Sequence, residues 1–162
     1  MDPQIIPEGH PSAFVPDENT HLALFGAFLT DSMLEDVVKY TNMKIEIFWA
    51  TIGPANHRSS TYQLIDLMDL NAIIGMLIFS GSKKDNHTIT QEMFSTWSGR
   101  PFYRALYSQK RFEFVLRCLR FDDPDTRGER SQGDKFYLIR DLWDATIDNC
   151  EKFLGMWTNH DD

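Results

Sequence analysis

The sequence predicts an all-α fold, an irregular multi-helix domain. Apolar residues recur at i, i+3, i+4 and i+7 through most of the chain, capping residues stand in front of those stripes, and no segment alternates apolar and polar residues as a half-buried strand does. With 162 residues, 42% hydrophobic and 13% aromatic, the chain has the length and apolar content of one compact domain with a real core.

Taken in order, residues 1–20 hold four of the seven prolines and little periodicity. Residues 1–24 therefore read as a disordered leader, residues 25–155 as the helical domain and residues 156–162 as a tail. The apolar run Leu22–Leu29 lies behind an acidic stretch and lacks a basic n-region, so it is no signal peptide. Thr30 or Asp31 caps a first helix near 31–46, with Leu34, Val37, Val38, Thr41 and Ile45 at helical spacing. Ala50–Tyr62, with Gly53-Pro54 and Ser59-Ser60, reads as a loop.

Asp66 or Asp69 caps the next helix, which passes through Leu70, Ile73, Ile74, Leu77 and Ile78 and ends at Gly81. It is apolar on every side and should be the buried one. Its apolar stretch is far short of the ~20 residues of a membrane span, so no membrane is expected as a partner. Thr88 with Gln91 fits a capping box before a short helix whose inner face is Met93, Phe94 and Trp97. Gly99 stops that helix and Pro101 opens another. Ser108 begins a helix with Phe112, Val115, Leu116 and Leu119 on one stripe and Arg111, Arg117 and Arg120 largely off it. Residues 121–133 form a charged, Pro/Gly-punctuated loop. Asp134 caps a long final helix with Leu138, Ile139, Leu142, Trp143, Thr146, Ile147, Cys150 and Phe153 inward and Gly155 at its end.

Most site chemistry is missing. Cys118 and Cys150 have neither zinc-ligand nor disulfide-scaffold spacing. Gly81-Ser82-Lys83-Lys84 departs from a phosphate loop and suits a helix C-cap and turn. His10, His21, His57, His87 and His160 show no HxxxH or HExxH spacing, and no serine sits in a G-x-S-x-G elbow. The pair Asp66/Asp69 is placed for a helix N-terminus and Asp122/Asp123 for a solvated loop.

The net charge of −8 is unevenly spread. Residues 1–99 carry 5 Lys+Arg against 12 Asp+Glu, residues 100–140 carry 10 against 6, and residues 141–162 carry 1 against 6. The basic segment interleaves its cations with Phe102, Tyr103, Phe112 and Phe121. Arginines on exposed helix faces grip phosphates, which dominate affinity for duplex DNA. The alternative is ordinary ion pairing with Glu113, Asp122, Asp123 and Asp134, and composition alone favours it. The DNA-contact candidates are Arg104, Lys110, Arg111, Arg117, Arg120, Arg130, Lys135 and Arg140.

The run Ser108-Gln-Lys-Arg-Phe-Glu-Phe-Val-Leu-Arg-Cys-Leu-Arg-Phe-Asp-Asp, then Thr126-Arg127, then Asp134-Lys-Phe-Tyr-Leu-Ile-Arg140, resembles piggyBac transposases and their domesticated relatives. Thr41-Asn42, read as the close of a first helix, Asp69-Leu70 through Gly81, and Met93–Ser98 agree, so the resemblance spans roughly residues 25–154. It implies the dimerisation and DNA-binding domain of such a transposase, which in the family precedes an RNase H-like core holding two metal ions on an Asp triad.

The sequence departs from the family pattern after Leu154: where the resemblance implies a strand with its first metal-ligating Asp stands Gly-Met-Trp-Thr-Asn-His-Asp-Asp, and the RNase H-like core is expected to be absent. Asp161 and Asp162 lack a surrounding hydrophobic strand, and the cysteine-rich zinc module of many relatives is absent too. The expectation is a transposase-derived fragment, truncated before the catalytic core. It is expected to be catalytically inactive, with no cofactor of its own although full-length relatives use Mg2+. Its role is DNA binding or dimerisation in DNA transposition, with duplex DNA, a second copy or full-length transposase as partners. The other reading is a domesticated helical protein-interaction module without DNA binding. The resemblance implies the nucleus, otherwise the cytoplasm. A chain lacking the core its relatives pack against is expected to expose apolar surface and to associate.

Overall fold

Thr30 starts the helix around which the others pack. Its backbone is extended and its side chain accepts the Met33 N–H, so the chain turns helical at Asp31. The computed structural model describes residues 20–53, 59–131 and 133–158, except for the side chains of residues 20, 21 and 154–158. Among the described residues the structure is helical and contains no strand, as the periodicity predicts. The helices are α1 Thr20–Phe28, α2 Asp31–Ile52, α3 Leu67–Ser82, α4 Thr90–Met93, α5 Pro101–Leu106, α6 Gln109–Cys118, α7 Arg127–Arg130 and α8 Arg140–Thr158.

The core lies where α2, α3 and α6 meet. Leu34, Val37 and Ile45 come from α2, Leu70, Ile73 and Met76 from α3, and Phe112, Phe114, Val115 and Cys118 from α6, with Tyr103 of α5 also fully enclosed. Each such aliphatic side chain contributes about 1.5–3 kcal/mol by leaving water. Polar stitches hold the layers in register. Asn42 of α2 donates to the Ile65 carbonyl and accepts the Ile65 N–H, both at 2.9 Å. Trp49 donates its indole N–H to the Tyr62 carbonyl at 2.7 Å, and the rings of Phe48, Tyr62 and Phe114 pack against one another.

Several expectations change in the structure. α1 begins at Thr20, inside the segment read as leader, because α8 gives it a partner: Phe28 meets Phe153 edge-on at 5.6 Å, and Asn149 donates to the Phe28 carbonyl. α2 runs to Ile52 rather than 46, and Thr41-Asn42 lies within it instead of closing it. Both side chains find partners across the core, so neither breaks the helix. Asp66 and Asp69 together cap α3, the Asp66 carboxylate taking the Asp69 N–H at 2.8 Å and Asp69 returning the contact at 3.4 Å. α3 is not buried all round: Met68, Leu77 and Ile78 face outward.

Thr88 and Gln91 form no capping box. α4 starts at Thr90 behind Ile89 and ends at Met93, which leaves Trp97 outside the helix and 97% exposed rather than inward. Gly99 is demanded by the turn that follows. A Cβ there would lie 2.7 Å from the Glu92 carbonyl oxygen and closer still to those of Met93 and Ser95. The 121–133 loop contains a 3-10 turn, Pro124–Thr126, and α7. α8 begins at Arg140 rather than after Asp134 and continues past Gly155 to Thr158. Only part of its apolar set points inward: Leu142 packs on the core, while Leu138, Trp143 and Ile147 are 42%, 50% and 39% exposed.

Candidate nucleic-acid interface

Ser108 caps α6 by accepting the Arg111 N–H, and the helix then buries Phe112, Phe114, Val115 and Cys118. That stripe turns Lys110 and Arg117, seven residues apart, toward solvent on one face. Neither makes an ion pair among the described residues. Glu113, the acid of α6, instead accepts from Gln109 Nε2 at 2.9 Å. Arg120, just past the end, donates Nη1 to the Leu119 and Arg117 carbonyls at 2.6 and 3.3 Å, which keeps its charge at the helix C-terminus.

Arg111 corrects the reading of an arginine on an exposed face. It is 7% exposed, and its guanidinium donates to the carbonyls of Thr61, Gln63 and Leu64 and approaches Asp69 at 3.5 Å. It ties α6 to the segment before α3. Periodicity misses this because the groups that draw Arg111 inward are backbone carbonyls some fifty residues away in sequence.

Arg127, Arg130 and Arg140, further along the chain, are consumed by carboxylates. Asp122, 1% exposed, receives Arg127 in a two-pronged contact (Nε to Oδ2 2.9 Å) and Arg130 Nη2 at 3.1 Å, so it is no solvated loop residue. Arg130 also reaches the Asp123 and Tyr137 carbonyls and Asp141 of α8, pinning the loop to the last helix. Arg140 grips Asp134 through Nε and Nη2 at 2.7 and 2.8 Å and lies over the Phe136 ring. Arg140 and the Phe136 N–H hold the Asp134 carboxyl down at about 2. Lys135 is exposed and unpaired among the described residues.

Two tyrosine–aspartate contacts complete the polar framework. Tyr103 donates its hydroxyl to Asp85 at 2.9 Å, and Arg100 Nε reaches the same oxygen at 2.8 Å. Burial and the Asp85 carboxylate push the Tyr103 phenol up to about 12, and Arg100 holds Asp85 below the usual carboxylate range. Tyr107 donates to Asp69, and burial and that carboxylate raise it strongly. Arg104 is turned to the Ser95 and Gly99 carbonyls. Of the candidates, α6 and its end thus bring Lys110, Arg117 and Arg120 to one region, and Lys135 stands apart from them in sequence. Arg104, Arg111, Arg130 and Arg140 are engaged within the protein. Spacing nominates no cation of α2, because nothing in either helix alone encodes the pairing of α2 with α6.

The sequence profile of the family described as Transposase IS4 matches residues 20–156. The chain belongs to the IS4/piggyBac-type transposase family. The cryo-EM structure of a piggyBac transposase synaptic complex with hairpin DNA is similar to it at 30% sequence identity and a TM-score of 0.71, over 80% of this chain and 26% of that one. The chain therefore spans about a quarter of that transposase's length. No curated protein matches the sequence. The family resemblance read from Ser108–Asp123 and Asp134–Arg140 is thus correct, and so is the helical architecture it implies.

No three His, Cys, Asp or Glu side chains converge among the described residues. Asp161 and Asp162 lie outside the described residues. The free cysteines are buried Cys118 and half-buried Cys150. Among the described residues no helix is long and apolar enough to cross a membrane.

Proposed function

We propose that residues 20–158 are a helical module of a transposase that engages duplex DNA through the solvent face of α6 and does not by itself cleave or join strands. The observation that carries this reading is the state of the cations on and just past α6: Lys110, Arg117 and Arg120 have no acidic partner, in a family member whose other arginines nearby are largely neutralised. The similar piggyBac transposase was imaged with hairpin DNA, which supports duplex DNA as the partner class. Family membership also makes the nucleus the working location.

The test is fluorescence anisotropy of a labelled duplex over a range of salt. Engagement by three cations gives log K against log salt a slope of about −3, at about 0.9 per phosphate contact. Lys110→Ala with Arg117→Ala lowers affinity alike on unrelated duplexes. A chain that leaves the duplex free at low salt contradicts the proposal. Strand cleavage with magnesium by the purified chain, lost on Asp161→Ala with Asp162→Ala, contradicts its catalytic half.

A specific observation also supports self-association. Phe136, Leu138, Trp143 and Ile147 form an outward apolar face on and before α8, with the Phe136 and Trp143 rings 6.5 Å apart. On this reading the module pairs with a second copy. Sedimentation then shows a concentration-dependent dimer that Trp143→Ser weakens, and a monomer at every concentration contradicts it.

A further inference from the structure

α2 and α6 run antiparallel, and two contacts set their register. Near one end Thr41 Oγ1, on a side chain with no exposed surface, accepts the Arg120 N–H at 3.2 Å and lies 3.5 Å from the Arg120 carbonyl. Near the other end Phe48 packs on Phe114 with ring centroids 5.1 Å apart. Lys44 sits between Thr41 and Phe48, so it lies level with Arg117 and Cys118 across the helix pair. It is half-buried and makes no ion pair among the described residues. Burial pushes the Cys118 thiol up, against the pull of Arg120, Lys44, Arg117 and the buried Arg111. Lys44 of α2, Arg117 of α6 and Arg120 just past its end thus lie along one edge of the core, and none of them makes an ion pair among the described residues.

We infer that Lys44, Arg117 and Arg120 form one phosphate-binding cluster spanning α2 and the end of α6, positioned by Thr41, in which each cation meets a phosphate of a duplex backbone and Lys44 adds one contact to those proposed above. The inference rests on the DNA reading above and adds a residue from a helix that reading does not use. A site built from two elements has its geometry set by the core, so its cations are held together before DNA arrives and lose less freedom on binding than side chains spread along one helix. Thr41 makes no contact with the ligand. It acts through the Arg120 backbone and is a positioning residue.

The experiment is the same salt titration with Lys44→Ala, Lys44→Arg, Lys39→Ala, Thr41→Val and Thr41→Ser, each first checked for an unchanged helical spectrum and unfolding transition. Lys39 is exposed on another side of α2 and controls for loss of a charge alone. Lys44→Ala is expected to reduce the salt slope by about 1, and Lys44→Arg to restore it. Lys39→Ala is expected to leave the slope unchanged. Thr41→Val is expected to weaken binding without altering net charge, and Thr41→Ser to rescue it. Replacing chloride by inorganic phosphate at equal ionic strength is expected to displace more duplex from the wild-type chain than from Lys44→Ala; equal displacement from both overturns the inference. Wild-type chain that binds duplex while Lys44→Ala keeps the full slope overturns the inference and spares the DNA reading. Wild-type chain that binds no duplex overturns both.

Discussion

Residues 110–120 and 122–140 each carry four Lys+Arg, yet they use them in opposite ways. The first stretch has Glu113 as its acid. The second has Asp122, Asp123, Asp125, Glu129 and Asp134, and of these Asp122 and Asp134 draw its arginines into closed pairs. In the first, Lys110 and Arg117 remain open to solvent and Arg120 stays charged at a helix end, while Arg111 disappears beneath the surface. Counting cations along a sequence therefore says little about the potential a partner meets. What matters is whether an acid is folded within reach.

The sharpest way to break this comparison is to open the second stretch at its centre. Asp122→Ala leaves Arg127 and Arg130 without their carboxylate, and because Asp122 is almost fully enclosed the loss is expected to be about 3 kcal/mol of folding stability, measured by denaturant unfolding. An unchanged midpoint shows that the pairs are incidental. Next in size is the arginine that the first stretch loses to the interior. Arg111→Met keeps length but abandons the Thr61, Gln63 and Leu64 carbonyls, at a cost of about 2 kcal/mol. Its DNA affinity under folding conditions is expected to match wild type; a drop in the salt slope contradicts the placement of Arg111 as structural.

A pH experiment sharpens the contrast between buried and surface polar contacts. Tyr103 has its phenol raised from the ordinary 10.0 to about 12, so folding favours its neutral form. Its contribution is complete below pH 10 and declines as pH rises from there through about 12. Denaturation midpoints should fall across that window, and Tyr103→Phe should shrink the fall. A wild-type profile that is flat above pH 10 contradicts the buried contact with Asp85. The smallest effect belongs to Arg140→Ala. Its pair with Asp134 is solvated, and the denaturation midpoint is expected to move less than in any of the variants above.

Much of this was legible in the residues. Thr30, Asp66 and Ser108 announce their helices because capping is a local contact between a side chain and a backbone N–H three residues on, and Asp69 returns the contact to the Asp66 N–H. The stripe Phe112, Val115, Leu116 and Leu119 identifies the inner side of α6 for the same local reason. Long-range partners were not legible. Arg111 is buried by carbonyls of another segment, Asp122 by arginines that the chain folds back onto it, and Lys44 joins Arg117 only through an antiparallel pairing set by Thr41 and Phe48. The outer face of α8 shows the converse limit. Its apolar set is wider than the seam it packs, so Trp143 and Ile147 share the spacing of a core without sharing its burial.

The most direct test compares salt slopes for duplex binding by the wild-type chain, by Lys110→Ala with Arg117→Ala, and by Arg140→Ala. If α6 carries the contact, the paired change lowers the slope by about 2 while Arg140→Ala leaves it in place. A loss as large for Arg140→Ala as for the α6 pair shows that the carboxylate-bound arginine is available to DNA after all, and contradicts the division between the two stretches.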